Sequence, residues 1–325
     1  MLYYGKGEVK MATLSDVAKL ANVSKMTVSR VINHPEQVTD ELKELVFHAM
    51  KELDYRPNIA AKALVSNRSQ IVKLFILEEI DTTEPYYMNL LMGISKTVGE
   101  AHYSLQLVTK NAFDLGACDG YIITGFRESD FEWINRLEKP VILFGENTHG
   151  IDYVDSDNQY GTAMTTSYAL QAGYKHIIFI GIDEDEPFSR SREAGYVGVM
   201  KEHEKEPSIY RFANHSTQAK QFIEENWSLF KKNTCFICSS DRLAIGIERG
   251  IIDSGGNVPD DFGIIGFDGV FLDQIGSPKL TTAKQSIIKM GEVCGEMLVK
   301  KIEEHGASQG YRRFLPELIT RESTK

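Results

Sequence analysis

The chain has 325 residues, of which 42% are hydrophobic and 25% charged, and its formal net charge is −10. This length suggests about two domains, and the composition is that of a globular protein, not a disordered or fibrous one. The longest apolar runs are far shorter than the ~20 residues of a membrane span, and the first ten residues lack the apolar core of a secretory signal. Four cysteines do not make a disulfide framework in so long a chain. We therefore expect a cytoplasmic protein with no membrane partner.

The charge is unevenly distributed along the chain. Up to Arg68 there are ten Lys/Arg against eight Asp/Glu, whereas the remainder carries 26 against 38. A near-neutral N-terminal part on an acidic body fits a small module that approaches a polyphosphate. Chance variation explains a net charge of +2 equally well.

Residues 1–10 fit no structural element, and residues 8–11 can be encoded by GAG-GTG-AAA-ATG, which resembles a bacterial ribosome-binding site followed by a start codon. We therefore expect residues 1–10 to be a non-native or misassigned leader. The intact mass of the native protein tests whether translation starts at Met1 or Met11.

Residues 11–57 predict three short helices. Thr13 and Asp16 form a candidate capping box for the first helix, and Ser24 is a favourable N-cap for the second. Pro35 ends the second helix, and Thr39 is placed to cap the third. Two helices joined by a tight turn are typical of a helix-turn-helix, which lays its second helix in the DNA major groove. Periodicity alone leaves an ordinary three-helix bundle open.

From residue 71 onward, short apolar runs alternate with helical patterns. This alternation predicts an α/β fold with two parallel sheets. The predicted strands are 72–77, 104–108, 120–123, 140–144, 177–180, 213–215 (weakly), 234–239 and 263–267. The predicted helices are 87–101, 161–172, 192–204, 217–230, 244–254 and 288–305.

The motifs of the whole chain resemble those of the LacI/GalR family of bacterial transcription regulators. Residues 13–33, TLSDVAKLANVSKMTVSRVIN, resemble that family's DNA-binding head almost position for position, and residues 53–58, LDYRPN, resemble its hinge. Further similar motifs are CDGYI at 118–122, IGFD at 265–268 and ELI at 317–319. The resemblance implies an all-α helix-turn-helix head followed by a periplasmic-binding-protein-like domain of two parallel-sheet subdomains.

The resemblance also implies domain boundaries. The head would span 11–57 and a hinge helix with its linker 58–70, followed by an effector-binding and dimerisation domain over 71–325. Within that domain, one subdomain would comprise about 71–158 plus 288–310, and the other about 159–287 plus 311–325.

The resemblance assigns DNA-contacting roles to the head. Lys25, Met26 and Arg30 would face base edges, and Met26 can offer only apolar contact. Contacts to the DNA backbone would come from Thr13, Ser24, Thr27, Ser29 and Asn33. Leu64 would insert into the minor groove and kink it.

In the larger domain the resemblance implies a small ligand bound in a cleft between the subdomains. Aromatic side chains would stack on a sugar, and charged side chains would bond its hydroxyls. The candidate effector-binding residues are Tyr86, Tyr87, Phe188, Arg192, Asp241, Asp268 and Gln285. The segment 110–117 departs from the family, because it is too short for the full helix that the family usually has there. In the family that helix lies near the dimer interface and the cleft edge.

The remaining motifs indicate no catalytic chemistry. Cys235 and Cys238 form a C-x-x-C, but within a predicted strand their thiols point to opposite faces, which favours core packing over a zinc or redox site. The sequence contains no G-x-S-x-G, P-loop or G-x-G-x-x-G motif. We therefore predict no enzyme, cofactor or metal.

Together these features predict a homodimeric repressor of sugar or oligosaccharide utilisation genes, which binds a pseudo-palindromic operator under control of a carbohydrate. Two alternatives stay open: a catabolite-control-type regulator whose co-effector is a phosphoprotein, and a plain cytoplasmic sugar-binding protein.

Overall fold

The structure is a computed structural model that describes residues 12–33, 37–55, 68–78, 85–109 and 116–325. It divides into two compact units, Met1–Ser69 and Gln70–Lys325. The expected leader, the hinge helix with Leu64 and residues 110–115 of the shortened segment lie outside the described residues.

The N-terminal unit contains the three predicted helices, α1 (Leu14–Leu20), α2 (Lys25–Asn33) and α3 (Asp40–Glu52). Both predicted caps of α1 and α2 are confirmed. The Asp16 carboxylate accepts the Thr13 N–H at 2.9 Å, and the Ser24 hydroxyl accepts the Thr27 N–H at 3.0 Å. Thr39 occupies the N-cap of α3 without a side-chain capping bond. The helices enclose a small core of Val17, Ala18, Ala21, Val28, Val31, Val46 and Ala49.

Within the described residues, the larger unit contains two six-stranded sheets. The strands of the first sheet are β1 (Ile71–Ile76), β2 (Ser104–Thr109), β3 (Gly120–Thr124), β4 (Val141–Phe144), β5 (Tyr153–Ser156) and β11 (Tyr311–Phe314). Those of the second are β6 (His176–Ile182), β7 (Ile209–Phe212), β8 (Thr234–Cys238), β9 (Phe262–Asp268), β10 (Thr281–Lys284) and β12 (Glu317–Ile319). The first sheet has the order β11-β5-β4-β3-β1-β2 and is parallel throughout; the second has the order β12-β10-β9-β8-β6-β7 and is parallel except for β12.

Helices cover the sheets, as expected for parallel strands joined by crossovers. They are α4 (Tyr86–Glu100), α5 (Phe131–Ile134), α6 (Asn158–Gln171), α7 (Pro187–Glu202), α8 (Ser216–Glu225), α9 (Asp241–Asp253), α10 (Leu272–Ile275) and α11 (Ile287–Glu303). Helices α6 and α7 approach closely at Gly195, where a Cβ would lie 2.2 Å from the backbone oxygen of Gln159. Only glycine fits at that contact.

Two sequence-based assignments are wrong. Residues 311–325 were expected in the second subdomain, but β11 pairs in parallel with β5 of the first sheet, and only β12 joins the second. The weak strand expected at 213–215 is a loop, and the strand lies at Ile209–Phe212. The chain therefore crosses between the sheets after β5, after β10 and after β11.

Candidate DNA-reading helix and ligand cleft

Helix α2 presents the predicted base-contacting residues to solvent. Val28 and Val31 are fully buried against α1 and α3, so the opposite face of the helix is outward. Lys25 and Arg30 are exposed on that face, and Met26 is 71% exposed. A methionine that is mostly exposed within its own unit is available for apolar contact with a base edge.

Three of the five predicted backbone-contacting residues lie at helix starts. Thr13 and Ser24 cap α1 and α2, and the Ser24 and Thr27 hydroxyls lie 2.9 Å apart. Amide donors at a helix N-terminus favour phosphate oxygens, so these three positions suit contacts to a DNA backbone. Ser29 lies in the middle of α2 and, like Thr27, is half-buried. Asn33 ends α2, and its side chain lies outside the described part of the chain.

In the larger unit, the carboxyl ends of both sheets face one cavity of about 390 Å³. Ligands bind open α/β sheets at this edge, because strand ends and the following loops converge there. The cavity is lined after β1, β3 and β4 by Glu78, Arg127 and Glu146, and after β6, β7 and β8 by Glu184, His215 and Arg242. Aromatic lining comes from Tyr86, Tyr87, Phe126, Phe144 and Phe188.

Arg192 is buried in the cleft wall and held in one orientation. Its Nε donates to Asn158 Oδ1 at 2.9 Å, and its Nη1 donates to the backbone oxygen of Ser239. The guanidinium lies 3.8 Å from the ring centroid of Phe267. The remaining nitrogen, Nη2, is 3.9 Å from Asp268 Oδ1. An arginine fixed in this way can offer donors to ligand hydroxyls without first losing conformational freedom.

Asp268 ends β9 with a φ of 119°, a strained conformation for a residue with a side chain. Gln285 Nε2 donates to Asp268 Oδ1 at 2.8 Å, and Ser156 Oγ donates to Gln285 Oε1 at 2.5 Å. Because Ser156 ends a strand of the first sheet and Gln285 follows one of the second, this chain of bonds joins the two subdomains beside the cleft.

Asp241 supports the cleft from behind. Its carboxylate accepts the Gly269 N–H at 2.8 Å and the Thr282 hydroxyl at 2.7 Å. Burial raises its pKa well above the usual value, and the charge of Asp268 raises it further. These bonds fix the turn that carries Asp268.

The cleft contains more acidic groups than the sequence indicated. Burial raises the pKa of Asp155 to about 6, although its carboxylate accepts the backbone N–H of Glu146 at 2.8 Å. At the cleft mouth, Arg127 lies 3.0 Å from Glu184, 3.6 Å from Glu186 and 3.8 Å from Glu78. Arg127 follows a strand of the first sheet, whereas Glu184 and Glu186 follow β6 of the second, so these two ion pairs cross the cleft. Glu78 follows a strand of the first sheet, as Arg127 does.

Five of the seven predicted effector residues line the cavity, namely Tyr86, Tyr87, Phe188, Arg192 and Asp268. Tyr86 and Tyr87 meet edge to face, with ring centroids 5.4 Å apart. Asp241 and Gln285 do not line this cavity and instead hydrogen-bond the turn at Asp268 and its carboxylate. Sequence reasoning missed Glu78, Arg127, Glu146 and Asp155; the position of Glu78 and Glu146 just after strands was the available signal. The acidic segment 183–186, for which the sequence leaves a solvated loop or a pocket rim open, contributes Glu184 and Glu186 to the cavity lining.

The two cysteines of the C-x-x-C motif are buried and pack into different hydrophobic clusters, as expected for opposite faces of β8. Burial raises the pKa of both thiols. Within the residues that the structure describes, there is no group of three or more His, Cys, Asp or Glu side chains that could bind a metal ion. No helix in the same residues has the length and apolar character to cross a membrane.

Comparison with known proteins gives two family matches. Residues 13–58 match the model of bacterial regulatory proteins of the lacI family, and residues 166–324 match that of a periplasmic binding protein-like domain. Among curated proteins, the HTH-type transcriptional regulator YvdE of Bacillus subtilis (strain 168) is 54% identical over 97% of this chain and all of its own.

Solved structures share the fold at lower identity. The lac repressor dimer bound to operator and the anti-inducer ONPF superimposes with a TM-score of 0.74, at 21% identity over 97% of this chain and 99% of that one. The complex of the transcriptional regulator CelR with cellobiose gives a TM-score of 0.70, at 24% identity over 96% and 99%. The capped helix-turn-helix, the two-sheet cleft and the full-length similarity to YvdE together show that the chain is a DNA-binding transcriptional regulator of the lacI family.

Proposed function

We propose that this chain is a homodimeric repressor of carbohydrate utilisation genes and that a small carbohydrate in the 390 Å³ cleft controls its affinity for a pseudo-palindromic operator. Lys25, Met26 and Arg30 contact base edges. Thr13, Ser24, Thr27, Ser29 and Asn33 contact the DNA backbone, and Leu64 acts as the minor-groove wedge.

The observation that carries the ligand class is the pairing of aromatic faces with fixed polar groups in one cavity. Tyr86, Phe144 and Phe188 offer apolar surfaces, while Arg192 and Asp268 offer a donor and an acceptor on the same wall. Sugars require this combination, because their ring faces are apolar and their edges carry hydroxyls. The cellobiose bound to CelR, a protein of the same fold, supports the same class.

Control of DNA binding follows from the position of the cleft between two sheets. A ligand that contacts Arg192 and the β4 end together favours a closed arrangement over an open one, and its differential affinity sets the size of the shift. Allosteric coupling between two sites is typically about 1–3 kcal/mol, which corresponds to a roughly 5–150-fold change in affinity.

The proposal is tested by thermal unfolding with a panel of neutral mono- and oligosaccharides, because any ligand of the folded state raises the melting temperature. We expect at least one sugar to do so and to change operator affinity. Phe188→Ala and Arg192→Lys are expected to weaken both effects while leaving ligand-free operator binding within about twofold. If both variants respond to the sugar like the parent, the pocket does not hold the effector, and the result favours a regulator whose co-effector is a phosphoprotein.

A further inference from the structure

The net charge of the cavity lining restricts the charge that the proposed carbohydrate ligand can carry. Among the residues that the structure describes, six carboxylates line the cavity, from Glu78, Glu146, Asp155, Glu184, Glu186 and Asp268. Three described arginines line it, Arg127, Arg192 and Arg242, together with the imidazole of His215. The formal sum of these carboxylates and arginines is −3, in a cavity of about 390 Å³.

The arginines are already engaged with the protein. Arg127 lies within 4 Å of three carboxylates. Arg192 donates to Asn158 and Ser239 and lies against Asp268. Burial raises the pKa of the Glu78 carboxyl, and the charges of Arg127 and Arg242 oppose that shift. An incoming phosphate or carboxylate that approaches Arg127 would have to displace a carboxylate of the chain.

A helix N-terminus, another common kind of anion site, also carries an acidic side chain at the cavity. Glu186 lines the cavity and occupies the N-cap of α7. Its carboxylate already complements the positive end of that helix dipole.

The pKa values of the cavity carboxyls are raised, in agreement with several negative charges placed close together. Burial raises the pKa of Glu78, and the charges of Glu184 and Glu186 raise it further. Burial and the neighbouring carboxylates likewise raise the pKa of Glu186, and burial raises the pKa of Asp155 to about 6. At neutral pH, the negative charge of an anionic ligand would be repelled by these same carboxylates.

We propose that the cleft selects a polyhydroxyl ligand that carries no negative charge and excludes phosphorylated sugars and sugar acids. Carboxylate oxygens accept hydrogen bonds, so they favour the hydroxyl donors of a neutral sugar and repel an anion. This inference rests on the proposed function, since it concerns the charge of the same carbohydrate.

The test compares matched ligands by calorimetry at pH 7.5. Each neutral sugar that binds is compared with its own phosphate and its own uronic or aldonic acid, starting with glucose, ribose, maltose and cellobiose. We expect the anionic derivatives to bind at least about 100-fold more weakly than the parent sugar. An anionic derivative that binds as well as its parent overturns this inference but keeps a carbohydrate effector. Failure of every sugar and derivative to bind overturns the proposed function itself.

A gain of anion binding gives a second arm. The triple variant Glu78→Gln, Glu184→Gln, Glu186→Gln removes the carboxylates around Arg127 and leaves its charge uncompensated. We expect the affinity ratio of anionic to neutral ligand to rise at least tenfold. The matched control is Glu202→Gln, Glu206→Gln, Glu303→Gln, which changes the net charge equally at exposed sites outside the cavity. An equal rise in the control would mean that net charge, not the cleft, sets the preference.

Discussion

Replacement of Arg192 by methionine tests how the cleft wall is held. The substitution removes two hydrogen bonds, to Asn158 and to the backbone of Ser239, and a guanidinium stacked on Phe267. Hydrogen bonds to a charged group contribute about 1.5–3 kcal/mol each, and breaking a buried pair typically costs about 3–5 kcal/mol. Because methionine keeps part of the stacking and removes the desolvation cost of the cation, we expect a loss of about 3 kcal/mol at pH 7.

The loss should depend on pH with a defined sign. Burial raises the pKa of Asp155 to about 6, and the charge of Arg192 is among the effects that lower it. Without Arg192 the folded-state pKa rises further, so the variant loses additional stability as pH increases from about 6 towards that higher value. The deficit relative to the parent is therefore larger at pH 8 than at pH 5.

Urea unfolding followed by tryptophan fluorescence measures this deficit in the larger unit, because both tryptophans, Trp133 and Trp227, belong to it. Arg211→Met is the matched control. Arg211 forms a bidentate pair with Glu193 on the surface, where its side chain is 48% exposed, so its loss should cost less than about 1 kcal/mol. The prediction is wrong if Arg192→Met loses no more unfolding free energy than Arg211→Met, or if its loss relative to the parent is larger at pH 5 than at pH 8.

Three further predictions concern packing, titration and capping. Gly195→Ala should destabilise the larger unit by several kcal/mol because its Cβ meets the backbone of α6, whereas Gly198→Ala, with nothing within 4 Å, should be neutral or slightly stabilising in the same urea titration. Burial raises the pKa of Glu248 to about 7, so its carboxyl reduces stability as pH rises from about 4.5 to 7, and Glu248→Gln should gain about 2 kcal/mol relative to the parent between pH 5 and pH 8; an unchanged difference contradicts the assignment. Ser24→Ala should remove the N-cap of α2 and destabilise the head by about 1 kcal/mol, seen by circular dichroism, whereas Thr39→Ala, at a cap with no side-chain bond, should cost less.

Local signals explain which parts of the fold could be predicted from the sequence. The capping residues Thr13 and Ser24 act on amides three positions away, so a short motif contains both partners. Long apolar strands such as β8, with five buried residues, were also recognisable. Strands β10 and β11 were not, because Thr-Thr-Ala-Lys and Tyr-Arg-Arg-Phe carry little apolar pattern and are strands only through their partners.

The candidate site divides in the same way. Arg192 could be identified by resemblance, and Asp268 by resemblance and by its position at the end of a predicted strand. The ion pairs of Arg127 join residues about 50 to 60 positions apart in sequence, and no local pattern indicates that Glu184 meets Arg127. The support of the Asp268 turn by Asp241 likewise depends on the packing of α9 against β9 and β10.

The central claim is most directly tested by exposing the purified full-length protein to sheared genomic DNA of its source, sequencing the bound fragments, and measuring affinity for the enriched sequence with and without the sugar that raises the melting temperature. We expect one inverted-repeat sequence, bound at least about 10³-fold more tightly than random competitor, with an affinity that the neutral sugar changes and its phosphate does not. Equal binding to all duplexes in both conditions would contradict sequence-specific binding under the control of a sugar.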